Sequence, residues 1–150
     1  MLKSVLLFGF VLTLFSGVWA DVKIERVTGN IELQEVVTAF DEAAMVKVPF
    51  GKNLQGVSKI YIDNFFGKKI VKAIPSIKNP TSEVRYCQYY VAFFDEDGLL
   101  IGSTGQGGYL SAGSEFQFSN CTIPLPEEEI AKITSYQVIL YESAEEIGRN

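Results

Sequence analysis

The sequence predicts a mainly β domain with one short helix near its C-terminus. Between residues 57 and 141 the chain repeatedly forms short runs rich in Val, Ile, Tyr and Phe, which favour strands. Turn signals rich in Gly, Pro, Asn and Ser separate those runs. A helix-start pattern occurs in this part of the chain only at Pro124–Ile133, where three glutamates follow Pro126.

Each predicted element rests on a local pattern. Pro126 suits the first helical position, and Ile130 and Ile133 fall on one helical face that can pack inward. Residues 102–108 hold four glycines, which predict a loop at the tip of a hairpin. The predicted strands are Val57–Asp63, Ile70–Ile74 (ending at Pro75 or continuing past it as an edge strand), Val84–Phe94, Leu99–Ile101, Glu115–Ser119 and Tyr136–Tyr141.

The first twenty residues have the pattern of a signal peptide. Lys3 provides a positive charge, Val5–Phe15 is an apolar core, and Val18-Trp19-Ala20 resembles a cleavage site. The apolar run is shorter than the ~20 residues of a membrane span. We therefore predict residues 1–20 as a signal peptide and 21–150 as a single exported domain, periplasmic or extracellular, with no stable membrane span after cleavage.

The segment 21–56 is open to two interpretations. The spacing of its apolar residues after Asn30 favours a short helix, and a hairpin around Thr28–Asn30 is the alternative. In either form we expect it to be an extension that packs on the sheet.

Composition excludes several classes of function. The chain has no His, which removes Ser-His-Asp and Cys-His nucleophilic sites and almost every common zinc site. Its formal net charge of −5 argues against nucleic acid as a partner. We therefore predict no enzyme, no metal and no cofactor.

The acidic stretch Asp95-Glu96-Asp97-Gly98 lies between two apolar runs. Asp and Gly at these positions are typical of a tight turn. A calcium loop would also need a ligand at position 99, which is Leu99. The pattern favours a turn over a metal site.

Cys87 and Cys121 are the only cysteines, and in an exported chain they predict one disulfide. Side chains alternate along a strand, so Cys87 shares a face with Tyr89, Val91 and Phe93. Without a bulge, Cys121 points away from Phe116 and Phe118, and the disulfide lies on an outer face with those three residues. A bulge near residue 120 would reverse this and place the disulfide in the core.

Tyr89, Val91 and Phe93 on an outer face would form an apolar patch, and such patches are usually covered or used. The segment 21–56 is the expected cover. A partner protein or ligand is the alternative, which makes Tyr89, Val91 and Phe93 the candidate partner-binding residues.

The run from Ile70 to Phe118 resembles the FxLYD-type bacterial immunoglobulin-like domains. The matching residues are KNPTS, VAFFDEDG and LSAGSEFQF, with Val91–Asp95 standing where F-x-L-Y-D would and only Asp95 identical. The resemblance covers about a third of the mature chain. It implies a small immunoglobulin-like antiparallel β-sandwich on an exported or envelope protein, and it implies no catalytic residues.

Two functions follow as expectations. The first is a non-enzymatic exported module that binds a protein or cell-envelope component through a sheet face or edge. The second is a small-ligand carrier with an aromatic-lined pocket between the sheet and the N-terminal segment.

Overall fold

The protein is an antiparallel β-sandwich. A computed structural model describes residues 22–38, 41–52, 54–118 and 121–145. Sheet A contains, in spatial order, β1 (Lys23–Asn30), β9 (Ser135–Ser143), β5 (Arg85–Phe94) and β6 (Leu100–Leu110). Sheet B contains β2 (Val46–Phe50), β3 (Gln55–Phe65), β4 (Lys68–Lys78) and β7 (Glu115–Gln117), and the short β8 (Thr122–Ile123) also pairs with β4. A 3₁₀ turn at Glu42–Ala44 and the short helix α1 (Glu127–Ile130) are the helical elements of the described residues.

Alternating residues of both sheets point inward and form one core. The fully buried positions come from facing strands, and their side chains are almost entirely apolar. Burial of this kind is the main favourable term in folding. The most central core residues are Val48, Leu54, Ile60, Val71, Ile77, Cys87, Tyr89, Val91, Phe93, Leu110, Cys121 and Val138. The predicted mainly β fold with one short C-terminal helix is confirmed.

The inward side of β5 is the opposite of the one we predicted without a bulge. Tyr89, Val91 and Phe93 each have 0% exposure and lie between the sheets. Along β4, Ser76 pairs with Gln117 but Lys72 pairs with Thr122. From Ser76 to Lys72 is four residues along β4, whereas from Gln117 to Thr122 is five residues along the facing segment. The facing segment therefore has one extra residue, which is a bulge. The shift lets Phe118 and Cys121 both point inward, as the bulge alternative requires.

Pro75 explains where the bulge falls. Ala73 N donates to Cys121 O and Phe118 N donates to Pro75 O, both at 3.0 Å. Backbone groups two residues apart on a strand point to the same side, so the missing N–H of Pro75 faces the gap between β7 and β8. The proline therefore costs no hydrogen bond to β3, and β4 continues past it as an inner strand.

The N-terminal segment is neither the helix nor the hairpin that the sequence suggested. Lys23–Asn30 pairs with β9, and Val46–Phe50 pairs with β3. Between them, Glu35 forms an isolated parallel bridge with Ile62. The segment thus adds an edge strand to each sheet, and it does not lie over one face as a cover. The helical spacing was misleading because Leu33 and Val36 lie in an irregular stretch that hydrogen-bonds to Ile62, whereas Ala44 lies in the separate 3₁₀ turn.

The predicted glycine loop is also wrong, since residues 102–108 lie within β6. The other predicted strands are present, and four of them are longer than predicted. The predicted Val84–Phe94 begins one residue later, and the predicted Glu115–Ser119 ends at Gln117. Turns occur at 66–67, 96–97 and 112–113, and Ile130 and Ile133 are buried. Pro126 is the N-cap of α1, one position before the expected place.

The predicted signal peptide, residues 1–20, lies outside the described residues. Within the part of the chain that the structure describes, no helix is both long and apolar enough to cross a membrane.

Candidate interaction surface

The Asp95–Gly98 stretch is a turn held by its own first carboxylate. Asp95 Oδ1 accepts hydrogen bonds from the backbone N–H of Asp97 at 3.0 Å and of Leu99 at 2.8 Å. Gly98 has a φ of +77°, which favours glycine. No group of three or more His, Cys, Asp or Glu residues that could hold a metal ion occurs among the described residues.

Cys87 and Cys121 are both buried in the core, and the structure has both as free thiols. Burial raises the pKa of Cys87 to about 12, with a further contribution from the Glu142 carboxylate, and raises that of Cys121 to about 11. A thiol that keeps its proton is a poor nucleophile, so neither suits covalent catalysis. The Cys87–Cys121 bond is not formed in this structure and stays a prediction.

The polar groups of the core are structural. Tyr89 Oη and Ser58 Oγ share a hydrogen bond of 2.6 Å. Burial of Tyr89 raises its pKa far above the ordinary range, while that hydrogen bond acts in the opposite direction. The two hydroxyls satisfy one another inside the sandwich, where a lone hydroxyl would be costly.

A set of charged side chains lies at one end of the sandwich, where Arg85, Glu142 and Glu25 are buried and Lys23 is exposed. Arg85 Nε donates to Glu142 Oε1 at 3.0 Å, and Lys23 Nζ lies 3.9 Å from the same oxygen. Nearby on β1, the Glu25 carboxylate accepts hydrogen bonds from the backbone N–H groups of residues 51 and 52. These contacts join β1, β5, β9 and the loop after β2, which is a structural role.

The outward side of β5 carries its even-numbered residues. Together with the outward sides of β6 and β9 it forms an aromatic surface. Register partners share a face, so Tyr86 lies beside Tyr109, and Gln88 lies beside Tyr141. Rings pair edge to face, with centroids 5.1 Å apart for Tyr86–Tyr109 and 6.0 Å for Tyr90–Tyr141. We call this surface, built around Tyr86, Tyr90, Tyr109 and Tyr141, the tyrosine face.

Two glycines of β6 allow the tyrosine rings to lie on the sheet. A Cβ at Gly105 would lie 2.4 Å from Tyr90 Cδ1, and one at Gly107 would lie 2.8 Å from the Tyr86 hydroxyl oxygen. Any larger residue would lift the rings or shift β6. The glycines that suggested a loop therefore leave the space in which the rings of Tyr86 and Tyr90 pack against β6, an arrangement known from edge strands.

The tyrosine face is nearly free of charge. Its outward neighbours on β1, β5, β6 and β9 are chiefly Gln, Ser, Thr, Ile, Ala and Gly, and Arg26 on β1 is the charged residue among the described outward positions. Tyr90 is 39% exposed and Tyr109 is 54% exposed. An exposed aromatic surface without charges has the composition of the central part of a protein interface.

The outer face of sheet B is charged. Glu42 accepts hydrogen bonds from Lys47 Nζ at 2.8 Å and Lys59 Nζ at 2.7 Å, and Lys72 Nζ lies 2.5 Å from Asp63 Oδ2. The two lysines hold the pKa of Glu42 well below its usual range, at about 2. This network is typical of a face that stays in water.

Two open grooves lie at the end of the sandwich near α1. They flank an ion pair in which Lys69 Nζ lies 3.6 Å from Glu127 Oε2, and their volumes are ≈ 420 and ≈ 350 Å³. The larger is lined mainly by aliphatic residues from the N-terminal segment and α1, and neither lining includes an aromatic residue. The aromatic-lined pocket expected of a carrier is thus not what these grooves provide.

The tip of the β3–β4 hairpin exposes a second aromatic feature. Phe66 is 91% exposed with a φ of +52°, and its ring lies edge to face with Phe65, 4.6 Å between centroids. Asn64 Oδ1 accepts a hydrogen bond from Gly67 N, which closes the turn. A left-handed conformation is unfavourable for a bulky side chain.

Comparison with known proteins adds little. No protein-family model matches the chain, and no curated protein matches it. The chain is similar to a solved structure described as a DUF1425 family member from Shewanella sp. pv-4, with a TM-score of 0.40 and 15% identity. That match covers 81% of this chain and 99% of the other.

The binding patch that the sequence predicted on β5 lies on the inward side of that strand. Tyr89, Val91 and Phe93 are fully buried, so they do not form a surface that a partner can reach in this fold. The aromatic residues that are exposed on the other side of sheet A, and that the sequence did not single out, are Tyr90 and Tyr109. The signal that could have found them is Pro75 inside an apolar run, because a proline in a strand favours a bulge beside it.

Proposed function

We propose that the protein is a non-enzymatic binding module that engages a protein or cell-envelope component through the tyrosine face. The observation that carries this proposal is the nearly uncharged aromatic surface beside Gly105 and Gly107, on which Tyr90 and Tyr109 are exposed. Tyrosine supplies a large apolar contact area with a polar tip, and it is enriched at interface sites that dominate binding energy.

Two finer assignments belong to the same proposal. The first is export, which the signal-peptide pattern of residues 1–20 supports. The second is that the sandwich is an FxLYD-type immunoglobulin-like domain. Its support is the Asp95–Gly98 turn between β5 and β6 and the turn at 112–113 before β7, at the places where that family has its turns.

The test maps where binding occurs. Isotope-labelled protein is titrated with a detergent-solubilised envelope fraction of the native host, and its amide signals are followed by NMR. We expect shifts in outward residues of β5, β6 and β9, and we expect Tyr90→Ser with Tyr109→Ser to abolish them.

Tyr61→Ser is the matched control, because Tyr61 lies at an outward position on sheet B. It should leave the shifts unchanged. Shifts centred on sheet B or on the Lys69–Glu127 grooves, or shifts that survive the double substitution, would contradict the proposal.

A further inference from the structure

The outer edge of β6 carries backbone groups that face away from the sheet. Thr134 N donates to Phe94 O, so even-numbered residues of β5 direct their backbone groups toward β9. Their partners on β6 are odd-numbered, as in Tyr90 with Gly105, and these pairs share no hydrogen bond. The N–H and C=O groups on the odd-numbered residues from 103 to 109 therefore point outward, and no described strand pairs with that side.

The four sheet edges of the sandwich differ in how they are protected against pairing. β1 carries Lys23 and Arg26, β2 carries Lys47 and Pro49, and β7 and β8 are only 3 and 2 residues long. Charges, proline and short length are the usual devices that prevent a strand from pairing with another chain. β6 has 11 residues without a charge or a proline. Apart from a register irregularity at its first residues, it lacks these devices.

Side-chain size and charge favour a second copy of the chain as the occupant. When two β6 strands run antiparallel about Gly105, Gly102 faces Gly108, Ser103 faces Gly107, and Thr104 faces the residue at 106. Each contact thus pairs small or uncharged residues with themselves or with one another, and a two-fold interface requires this self-complementarity. Two acidic molecules can approach at this edge because it carries no charge of its own.

We propose that the protein dimerises by antiparallel pairing of β6 with β6 of a second copy, centred near Gly105. Sheet A of each copy contributes four strands, and the dimer has one continuous sheet of 4 + 4 strands. Tyr109 lies on β6, so the two tyrosine faces meet across the two-fold axis and form one longer surface. This inference does not rest on the proposed function, since edge pairing is a property of the backbone.

The test uses a proline at Ser103, where the N–H faces away from β5. Ser103→Pro removes an outward donor and leaves the β5–β6 hydrogen bonds in place, as edge prolines do. Ser103→Thr is the matched control, because it keeps the N–H and adds only a methyl group. The mass of the purified protein and of both variants is measured by sedimentation equilibrium over a wide concentration range.

We expect the protein and Ser103→Thr to be dimers that dissociate on dilution. Ser103→Pro should raise the dissociation constant about 10-fold or more, since symmetry removes the hydrogen bond twice. Tyr90→Ser should leave the dimer intact, which separates edge pairing from association through the tyrosine face.

Hydrogen exchange on the unsubstituted protein gives a second test that does not depend on the proline variant folding. The amides of Ser103, Gly105, Gly107 and Tyr109 should be protected at concentrations where the dimer forms and exchange rapidly after dilution. A protein that is monomeric at every concentration would overturn the proposal. A dimer that is insensitive to Ser103→Pro, or amide protection that appears only with an envelope extract, would overturn it as well.

Discussion

The outer face of sheet A carries four tyrosines and one charged residue, whereas the outer face of sheet B is held by lysine–carboxylate pairs around Glu42 and Asp63. Both faces belong to one sandwich and enclose the same core. A solvated face gains little from exposed ion pairs but stays soluble. A face with a single charged residue exposes aromatic surface to water, and a partner that covers it recovers free energy. The difference therefore supports the proposal that the protein associates through the tyrosine face.

The largest expected effect tests whether β5 separates the core from the tyrosine face. Phe93→Ala should cost about 3–5 kcal/mol of unfolding free energy, because it removes a fully buried ring. Tyr90→Ala, three residues earlier and on the opposite side of the strand, should cost about 1 kcal/mol. Urea denaturation of both variants measures the difference. Equal losses would mean that the two sides of β5 are packed alike, and the comparison would fail.

The next prediction concerns the core between the two sheets, where the buried Cys87 thiol makes stability depend on pH. The pKa of the Cys87 thiol is raised from an ordinary value of 9.0 to about 12. A raised pKa stabilises the fold fully below the unfolded value of 9.0, and that contribution is lost as pH rises toward 12. Urea denaturation between pH 8 and pH 11 should show unfolding free energy falling by up to ~1.4 kcal/mol per pH unit above pH 9 from this thiol.

The control is Cys87→Ala with Cys121→Ala, which should lose the part of the alkaline dependence that begins above pH 9.0 and keep the part from Tyr89, whose raised pKa acts above 10.0. The same experiment tests the predicted disulfide. If Cys87 and Cys121 are bonded, the unfolded protein shows no reactive thiol, and the alkaline loss from the thiols is absent.

A smaller effect is expected from a substitution at Gly105, the glycine against which the Tyr90 ring packs. A Cβ at Gly105 would lie 2.6 Å from the carbonyl oxygen of Tyr89, which is backbone and cannot easily move. Gly105→Ala should therefore cost about 1–3 kcal/mol in thermal or urea unfolding. Gly51→Ala is the control, because nothing lies within 4 Å of its added Cβ, and its effect should stay within about 1 kcal/mol. A neutral Gly105→Ala would show that the rings do not depend on the glycine.

The hairpin tip provides a test of exposed aromatic surface outside both faces. Phe66 has a φ of +52°, and Asn tolerates this conformation better than Phe. Phe66→Asn should raise unfolding free energy by about 0.5 kcal/mol, the relief of strain being partly offset by loss of the ring contact with Phe65. Phe65→Asn removes the same contact from a strand position and should give no gain. A loss of stability in Phe66→Asn would indicate that the ring packs against more than its neighbour.

The smallest effect concerns the charged face of sheet B. Hydrogen bonds from Lys47 and Lys59 hold the pKa of Glu42 at about 2. A depressed pKa means that the stabilising contacts are present above the ordinary carboxyl pKa and are lost as pH falls through 2. NMR titration of the Glu42 carboxyl should show a midpoint near 2, and Lys47→Ala with Lys59→Ala should move it upward. A midpoint near the ordinary value in the unsubstituted protein would mean that these ion pairs are not populated.

The sequence predicted much of the fold because local patterns and tertiary structure agree there. Val84–Phe94, the Asp95–Gly98 turn and the buried Ile130 and Ile133 all follow from residue type and spacing alone. The N-terminal segment failed because its strands are set by distant partners on β9 and β3, which a local pattern does not contain.

The candidate surface was less predictable for two physical reasons. The inward side of a strand depends on register, and a single bulge beyond Phe118 inverted the face assigned to Cys121 and thus to Tyr89. The glycines of β6 looked like a loop because their role is to leave room for tyrosines on another strand. Neither relation lies within a window of neighbouring residues.

The bulge between β7 and β8 also determines what a change of chain length would do at that point. Removing one residue between Phe118 and Cys121 would give the two strands a single continuous register along β4, and Phe118 and Cys121 would still both point inward because residues two apart share a face. A gap of one residue would therefore remove the bulge and leave the core positions of β8 unchanged. When related chains are aligned, a one-residue gap at this place should coincide with the same alternation of polar and apolar residues over the following strand.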